Sequence, residues 1–338
     1  RNPAAPSYNV SSQVRRLAPV HPSNRWESPL MPTVIVAGAT FTQEEAQKLV
    51  ELISPVKALW RPQGRGSTPM ARFEGVDPIW VATVMPSLRV AYEEKEWDIN
   101  VVPDGLSINE YRLLCIDLDS TLIETECLDI LGDLVGRGDQ MRTITQKAMT
   151  GKLRFEDSLR QRVELLKDSP ASILEEALAA VKLSPGAEYL IDFVKSYGLD
   201  VWLFSGGLIE LAAPIAERLG FAGARANSVE ITPEGFFSGK ISNVSEQPVF
   251  NGEGKGRALL ECCSRLDVAP RKAISIGDGA NDLDMTKLAG LGVGYHAKPL
   301  LRGSTTFLVS FAGLDAVPAF FAEDWQNRDD LVDITLRS

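Results

Sequence analysis

The chain of 338 residues is poor in histidine and cysteine, and it lacks any apolar run near the length of a membrane-spanning helix. Its two histidines, His21 and His296, offer no pair for histidine-assisted nucleophilic catalysis. The four cysteines show no metal-binding spacing, and a disulfide framework is not expected in a chain of this size. They are Cys115, Cys127, Cys262 and Cys263. We therefore expect reduced thiols in a cytoplasmic protein with no membrane partner.

The formal net charge of −10 argues against a nucleic-acid partner and favours solubility. Residues 1–32 differ from the rest, because they contain four arginines, one glutamate and many Pro, Ser and Asn residues. This composition predicts a flexible arm. The length predicts two or three structural units, and a hydrophobic content of 44% is enough for their cores.

The most informative segment is a short apolar run, Leu113–Ile116, that leads into Asp117-Leu118-Asp119. The carboxyl ends of parallel strands face the ligand crevice of an α/β sheet, where two acids could bind Mg²⁺ and supply a nucleophile and a proton donor. Alone, an Asp-x-Asp sequence is more often a turn or a helix cap.

Three further polar clusters follow in a fixed order, two of them directly after strand-like runs. They are Ser205-Gly206-Gly207, Lys255 at the start of a helical pattern, and the run from Gly277 through Asp278 to Asn281 and Asp282. With the Asp117 segment they resemble the four motifs of the haloacid-dehalogenase-like phosphotransferases over residues 110–315. The resemblance implies an α/β fold with a doubly wound, Rossmann-like parallel sheet.

Phosphoryl transfer depends chiefly on a positioned nucleophile and on neutralised charge. Asp117 is expected to attack phosphorus and form an aspartyl-phosphate, while Asp119 protonates the leaving oxygen and later takes a proton from water. Lys255 is expected to stabilise the transferred group. The Ser205 hydroxyl and the Gly206 amide can donate to phosphoryl oxygens.

The same pattern predicts a Mg²⁺ site, since this ion prefers oxygen ligands and retains several waters. Its ligands would be Asp117, Asp278 and a backbone carbonyl at Asp119. Asp282 would orient the metal site from behind its ligands.

The spacing of 88 positions between Asp117 and Ser205 is far longer than the roughly 30 residues of a strand–helix–strand unit. Residues 128–183 have helical patterns throughout. Helices are predicted from Asp139 to Met149, from Phe155 to Lys167 and from Ser169 to Lys182. We therefore predict a small helical-bundle cap that closes over the site and excludes water.

The segments Lys147–Phe155 and Ser158–Val163 are similar to the phosphoserine phosphatase family. This resemblance implies hydrolysis of O-phosphoserine, the last step of serine biosynthesis. It assigns the substrate ammonium to Glu126, the substrate carboxylate to Arg162, an apolar shield to Met149 and Phe155, and a further substrate contact to Asn281. A carboxylate and a guanidinium do suit the two ends of an amino acid. Taken singly, Glu126 is also an ordinary helix-start acid and Arg162 an ordinary surface residue.

Residues 33–104 show the order βαββαβ. The predicted strands are Val34–Ala37, Val56–Trp60, Ala71–Phe73 and Ile99–Val102, and the helices are Thr42–Ile53 and Ile79–Glu94. This order resembles the small amino-acid-binding ACT-like domains. A packing module, or one through which the chain forms a homodimer, is the alternative.

The predicted organisation is therefore a flexible arm (1–32), an ACT-like α+β domain (33–104), a phosphatase core (105–127 and 184–318), a cap (128–183) and an acidic, irregular tail (319–338). Other functions stay open: hydrolysis of another small phosphomonoester, transfer to an alcohol such as homoserine, or a non-hydrolytic phospho-acceptor or amino-acid sensor.

Overall fold

Two β-sheets and a hairpin organise the computed structural model, which describes residues 31–64, 67–242, 249–326 and 328–335. The strands are β1 (Thr33–Ala37), β2 (Lys57–Arg61), β3 (Met70–Glu74), β4 (Asp98–Val102), β5 (Leu113–Asp117), β6 (Asp200–Leu208), β7 (Gly223–Asn227), β8 (Val229–Ile231), β9 (Phe237–Ile241), β10 (Ala273–Gly277), β11 (Leu291–Tyr295), β12 (Phe307–Val309) and β13 (Val332–Asp333). The helices are α1 (Gln43–Ile53), α2 (Pro78–Glu93), α3 (Cys127–Leu134), α4 (Gly138–Met149), α5 (Phe155–Glu164), α6 (Ile173–Ala180), α7 (Ala187–Ser196), α8 (Ile209–Arg218), α9 (Gly252–Arg265), α10 (Leu283–Leu288) and α11 (Pro299–Arg302). Within the described residues, no helix combines the length and apolar character needed to cross a membrane. The flexible arm predicted for residues 1–32 lies almost wholly outside the described residues.

The larger sheet has six parallel strands in the order β12-β11-β10-β5-β6-β7. Every residue of β5 is buried, as expected for a strand covered on both faces. Leu114 and Ile116 pack with α7 and α8, whereas Leu113 and Cys115 pack with α9 and α10. The predicted doubly wound α/β core is confirmed. All four cysteines are free and buried.

Five helices lie between β5 and β6 in the chain, and we call the first four of them, α3 to α6, the cap. Helices were predicted in this segment, but two of their starts differ. Helix α4 begins at Gly138 rather than Asp139. Helix α6 begins at Ile173, because the residues before it pair with the β8–β9 hairpin: Asp168 and Ala171 donate backbone N–H groups to Phe237 and Gly235.

The smaller sheet is antiparallel, in the order β13-β2-β3-β1-β4. Its first four strands and two helices follow the predicted order βαββαβ, and Thr42 caps α1 through the predicted capping box with Glu45. Successive side chains of β1 point to opposite faces. Val34 and Val36 pack with α1 and α2, while Ile35 joins the hydrophobic cluster of the larger sheet.

The segment after Pro318, predicted to be an irregular tail, is packed against the rest of the protein. Phe320, Phe321 and Trp325 are buried, and β13 pairs with β2 as the edge of the smaller sheet. Its aromatic residues have no regular period, because they sit in short 3₁₀ turns rather than in a helix. The sequence analysis did not predict that this segment would pack against the two sheets.

A buried ionic cluster joins β2 to this C-terminal segment. Arg61 donates to Asp324 at 2.8 Å and pairs with Asp315 at 3.4 Å, and the three side chains are each 1% exposed. Tyr189 also donates to Asp324. Breaking such a pair by removing one partner leaves an uncompensated buried charge.

Replacement of Arg61 by methionine should therefore lower the free energy of unfolding by about 3 kcal/mol, because Asp315 and Asp324 lose their main cation. Urea unfolding midpoints measure this effect. Lys48→Met removes an exposed pair with Glu44 and is the control, with an unchanged midpoint expected. An Arg61→Met midpoint equal to that of the wild type would contradict the prediction.

Candidate active site

Three adjacent strands bring polar side chains to one edge of the larger sheet. Asp117 ends β5, Ser205 lies near the end of β6, and Asp278 follows β10. These strands are neighbours in the order β10-β5-β6, so their carboxyl ends meet at the same place. All three side chains are buried. The sequence prediction that these motifs converge is consistent with this geometry.

Lys255 lies at the centre of this site. It stands in the first turn of α9, which Asn251 caps by accepting from the Gly254 N–H at 3.1 Å. The fully buried Nζ donates to Asp117 Oδ1 and, at 2.7 Å, to Asp282 Oδ1. One cation thus bridges two carboxylates that would otherwise repel each other at low dielectric.

These contacts shift the pKa values of the groups involved. Burial raises the pKa of Asp117 well above its usual value, and Asp282 adds to this rise while Lys255 opposes it. Burial alone would lower the pKa of Lys255, but Asp117 and Asp282 outweigh it and raise that pKa. The Lys255 ammonium therefore favours the ionised form of Asp117, which is the form a nucleophile needs.

Asp282 connects Lys255 to the backbone beside Asp278. Its Oδ2 accepts from the N–H groups of Asp278 and Gly279 at 3.1 and 3.0 Å. Gly277 permits this close approach, since a Cβ there would lie 2.3 Å from Asp282 Cγ. Asp282 therefore orients two functional groups at once, in keeping with the supporting role expected from the sequence.

Asp119 points away from the Asp117 cluster. Its Oδ1 accepts from the Cys127 N–H at 2.7 Å, at the start of the cap, and its Oδ2 accepts from the Ser205 hydroxyl at 3.0 Å. Ser120, with φ of 58°, turns the chain sharply just after the two acids. In this arrangement the Ser205 hydroxyl donates to Asp119, and it accepts from the Gly207 N–H at 2.9 Å.

Three buried carboxylates could hold a metal ion, since one oxygen each of Asp117, Asp278 and Asp282 lies within 4.8 Å of the others. An all-oxygen donor set suits a hard divalent cation. The sequence analysis gave a ligand role to the backbone at Asp119 and a supporting role to Asp282. In the structure, the Asp282 carboxylate belongs to this group of three acids, whereas the Asp119 carboxylate does not.

Lys298 is a residue that the sequence analysis did not assign to the site. Its Nζ donates to Asp278 Oδ2 at 2.8 Å, and its N–H donates to the Asp278 carbonyl at 2.7 Å. Burial raises the pKa of Asp278 to about 6, and Lys298 opposes that rise. A signal was present in the sequence: Lys298 follows β11, the strand beside β10, and so belongs to the same edge of the sheet.

A second pair of charges lies at the boundary with the cap. Glu126 precedes α3 and Arg162 is in the last turn of α5; their charged groups are 3.9 Å apart. Glu126 also accepts from the Ser120 hydroxyl at 3.1 Å. Burial, followed by the charge of Asp119, raises the pKa of Glu126 to about 7 despite the opposing Arg162. The buried Nε of Arg162 has no hydrogen-bond partner among the described residues.

The cap closes directly onto the strand end that bears the Ser205 motif. The Phe155 ring lies against Gly206, where a Cβ would approach Phe155 Cζ to 2.8 Å. Glu156 accepts from the Asn251 side chain at 3.2 Å, next to the Lys255 helix. The Asn281 amide nitrogen also faces Gly206, at 3.9 Å from that Cβ position. The side chain of Met149, assigned to the same shield, lies outside the described residues.

Comparison with known proteins agrees with this geometry. A model of haloacid dehalogenase-like hydrolases matches residues 111–290. The chain belongs to this family. A phosphoserine phosphatase from a Polaromonas species is 41% identical over 219 residues, which cover 64% of this chain and 92% of that protein.

Two solved structures are also similar. The unliganded structure of a probable phosphoserine phosphatase from Vibrio cholerae has a TM-score of 0.68 and 29% identity, and the match covers 94% of this chain and 96% of the other. A phospho-aspartyl intermediate analogue of phosphoserine phosphatase has a TM-score of 0.58 and 33% identity over 62% of this chain and 99% of the other.

Replacement of Lys255 by methionine should destabilise the protein by about 3 kcal/mol or more at pH 8 in EDTA, and by less at pH 5. In the unfolded chain an aspartate has a pKa of about 4. In the folded protein the pKa of Asp117 lies well above its usual value. Ionisation of Asp117 therefore opposes folding, and stability is lost as the pH rises through the folded pKa.

Urea midpoints at the two pH values, each compared with the wild type, measure the difference. Arg257→Met on the same helix removes an exposed pair with Glu253 and is the matched control. A Lys255→Met deficit that is equal at both pH values would show that Lys255 does not compensate ionised carboxylates.

Proposed function

We propose that this protein is a Mg²⁺-dependent phosphatase that hydrolyses O-phosphoserine to serine and phosphate, the reaction that ends serine biosynthesis. One observation carries the choice of substrate: Glu126 and Arg162 place a carboxylate and a guanidinium 3.9 Å apart, both largely buried, beside the acid cluster. These charges complement the ammonium and carboxylate of an amino acid. The similarity to phosphoserine phosphatases supports the same substrate.

The chemistry proceeds in two displacements. A carboxylate oxygen of Asp117 attacks phosphorus, and the bond from phosphorus to the serine oxygen breaks as Asp119 gives that oxygen a proton. Asp119 then takes a proton from water, whose oxygen attacks phosphorus; the bond from phosphorus to the Asp117 oxygen breaks, so phosphate leaves and the Asp117 carboxylate is restored. The separate orientations of Asp117 and Asp119 suit this division of labour, because one faces Lys255 and the other faces Ser205.

The groups around Asp117 neutralise the charge on the phosphoryl oxygens. Lys255 supplies a fixed ammonium, and the Gly206 amide is a donor at the end of β6. The Ser205 hydroxyl, which donates to Asp119 without substrate, would turn to donate to a phosphoryl oxygen. Asp117 and Asp278 would hold Mg²⁺, which supplies further positive charge to the phosphate when bound. Phe155 covers Gly206 from the cap and excludes water from the reacting groups.

The finer organisation of the chain is also part of the proposal. We infer that the smaller sheet with α1 and α2 is an ACT-like domain of a cytoplasmic enzyme. Ile79 and Val90 on α2 are 72% and 65% exposed, which suits a homodimer formed through this domain. The limits of the cap and core are proposed as in the sequence analysis, with the C-terminal segment now joined to the smaller sheet.

The test of the function is phosphate release from a panel of small phosphomonoesters in the presence of Mg²⁺. O-Phosphoserine should be the best substrate, and Asp117→Asn should abolish its hydrolysis because the nucleophile is lost. Preference for a sugar phosphate would indicate a phosphatase with another substrate. Transfer of the phosphoryl group to homoserine would indicate a transferase. No phosphate release from any compound would overturn the enzymatic function itself.

Arg162→Ala should lower kcat/KM for O-phosphoserine about 100-fold, because the substrate carboxylate loses its buried partner. Phosphoethanolamine has no carboxylate, and its hydrolysis should change far less. Arg160→Ala, an exposed arginine of the same helix, is the matched control and should leave both rates unchanged. Equal losses on the two substrates would disprove a carboxylate contact at Arg162.

The preference for an amino group should depend on pH through Glu126. The pKa of about 7 means that Glu126 loses its charge as the pH falls through this value. The ratio of kcat/KM for O-phosphoserine to that for 3-phosphooxypropanoate, which lacks the amino group, should drop about tenfold from pH 8 to pH 6. In Glu126→Gln the ratio should be low and independent of pH. A wild-type ratio that stays constant would exclude Glu126 as the ammonium partner.

A further inference from the structure

A buried acid of the smaller sheet, Asp98 on β4, holds a loop of the core. It is 6% exposed and accepts three backbone N–H groups: from Ser310 at 2.7 Å, from Phe311 at 3.0 Å and from Ala312 at 2.8 Å. Successive N–H groups that converge on one carboxylate form a strong anion-binding arrangement. Asp98 therefore fixes the backbone immediately after β12.

Asn100, two positions along the same strand, holds β12 itself. Its side chain donates to the Leu308 carbonyl at 2.8 Å and accepts from the Leu308 N–H at 3.1 Å. Since β12 is the edge of the six-stranded sheet, this amide takes the place of a missing neighbouring strand. Both β12 and the loop that follows it are thus held by side chains of the smaller sheet.

The segment held in this way supports the path to Lys298. The His296 N–H donates to the Val309 carbonyl at 2.7 Å, and its ring hydrogen-bonds to the backbone of Ala312. His296 has φ of 44°, a left-handed conformation that a non-glycine residue keeps only when its surroundings impose it. The direction of the chain into Lys298 therefore depends on the loop that Asp98 holds.

Lys298 carries this constraint to the active site. Its ammonium and its backbone N–H both bond to Asp278, at 2.8 and 2.7 Å. The bond from the ammonium fixes one oxygen of the Asp278 carboxylate. It therefore also sets the position of the other oxygen of that carboxylate. Partners of a metal-binding carboxylate that act in this way tune its affinity for the ion.

We propose that Asp98 is a positioning residue for the active site: by binding the Ser310–Ala312 backbone it fixes His296 and directs Lys298 onto Asp278. The smaller sheet then contributes to catalysis through structure, without touching substrate. This inference rests on the proposed function only in taking Asp278 as a ligand of the cation.

The experiment measures Mg²⁺ binding by titration calorimetry, with the full chain and without substrate. Asp98→Asn should weaken binding about threefold to tenfold, because the amide cannot accept three N–H groups as the carboxylate does and Asp278 is less well oriented. In the Lys298→Met background, where the ammonium no longer fixes the Asp278 carboxylate, Asp98→Asn should change the dissociation constant by less than about twofold. The same pattern is expected in kcat, with little change in KM for the substrate.

Arg72→Met is the matched control for a general loss of packing between the sheets. Arg72 is also buried and donates to Glu74 and to the Ala319 carbonyl, but among the described residues these hydrogen bonds reach neither the Ser310–Ala312 loop nor β12. It should lower the unfolding temperature without changing Mg²⁺ affinity. If Asp98→Asn does not fold, Asn100→Ala gives a milder release of the same segment and should weaken binding in the same direction.

Two outcomes would overturn the proposal: unchanged Mg²⁺ affinity in folded Asp98→Asn, or an equal loss in the wild-type and Lys298→Met backgrounds. The proposed substrate can fail separately. If the wild type released no phosphate from O-phosphoserine while Asp98→Asn still weakened Mg²⁺ binding through Lys298, the connection would stand and the substrate would be wrong.

Discussion

The buried ammonium of Lys255 is the interaction on which the rest of the site depends. Asp117 and Asp282 both contact it, and Asp278 lies within the same group of acids. Three buried carboxylates without a cation would protonate or force the site apart. A nucleophilic Asp117 must instead be ionised, so the fold has to deliver a positive charge to it from a rigid element. Helix α9 does this with its first turn, which Asn251 caps.

The charges around Lys255 and those of Glu126 and Arg162 are compensated to different degrees. Lys255 donates to two carboxylates at hydrogen-bond distance, whereas Glu126 and Arg162 are separated by 3.9 Å and Arg162 Nε has no partner among the described residues. Burial without close pairing raises the pKa of Glu126 to about 7. Unused hydrogen-bonding capacity of this kind is what a charged ligand can complete, whereas the contacts of Lys255 with Asp117 and Asp282 form without a ligand. Structural order and substrate recognition are thus assigned to different ion pairs.

Local patterns in the sequence were enough to predict the core and the convergence of its motifs. Apolar runs that end in polar clusters marked β5, β6 and β10, and the rule that parallel strands share one carboxyl edge supplied the rest. The start of α1 was equally readable, since Thr42 and Glu45 form a capping box within four residues. The predictions from the sequence failed where contacts join segments that lie far apart in the chain. Helix α6 starts late because a hairpin more than sixty residues further on pairs with the residues before it.

The roles of Lys298 and Asp98 and the packing of the C-terminal segment were not predicted, for the same reason. Lys298 acts on Asp278 from the next strand, and Asp98 acts from another sheet. The C-terminal segment shows neither of the two regular periods, because its aromatic residues fill a space between elements that come much earlier in the chain. The period of apolar residues along the sequence indicates which face of a helix or strand is buried. It does not indicate which other segment covers that face.

The way in which the chain returns to its first sheet makes the two sheets one structural unit. The chain builds β1 to β4, continues through the six-stranded sheet, and then adds β13 beside β2. Ile35, Leu59 and Met70 of the smaller sheet belong to the same hydrophobic cluster as the core strands. Arg61 is buried with Asp324 of the C-terminal segment and with Asp315, which lies just before that segment. Separation of the sheets would expose that apolar surface and leave those charges unpaired in a single event. The contact between the sheets is therefore strong enough to hold Asp98 in place, and a mobile attachment could not transmit its position to Asp278.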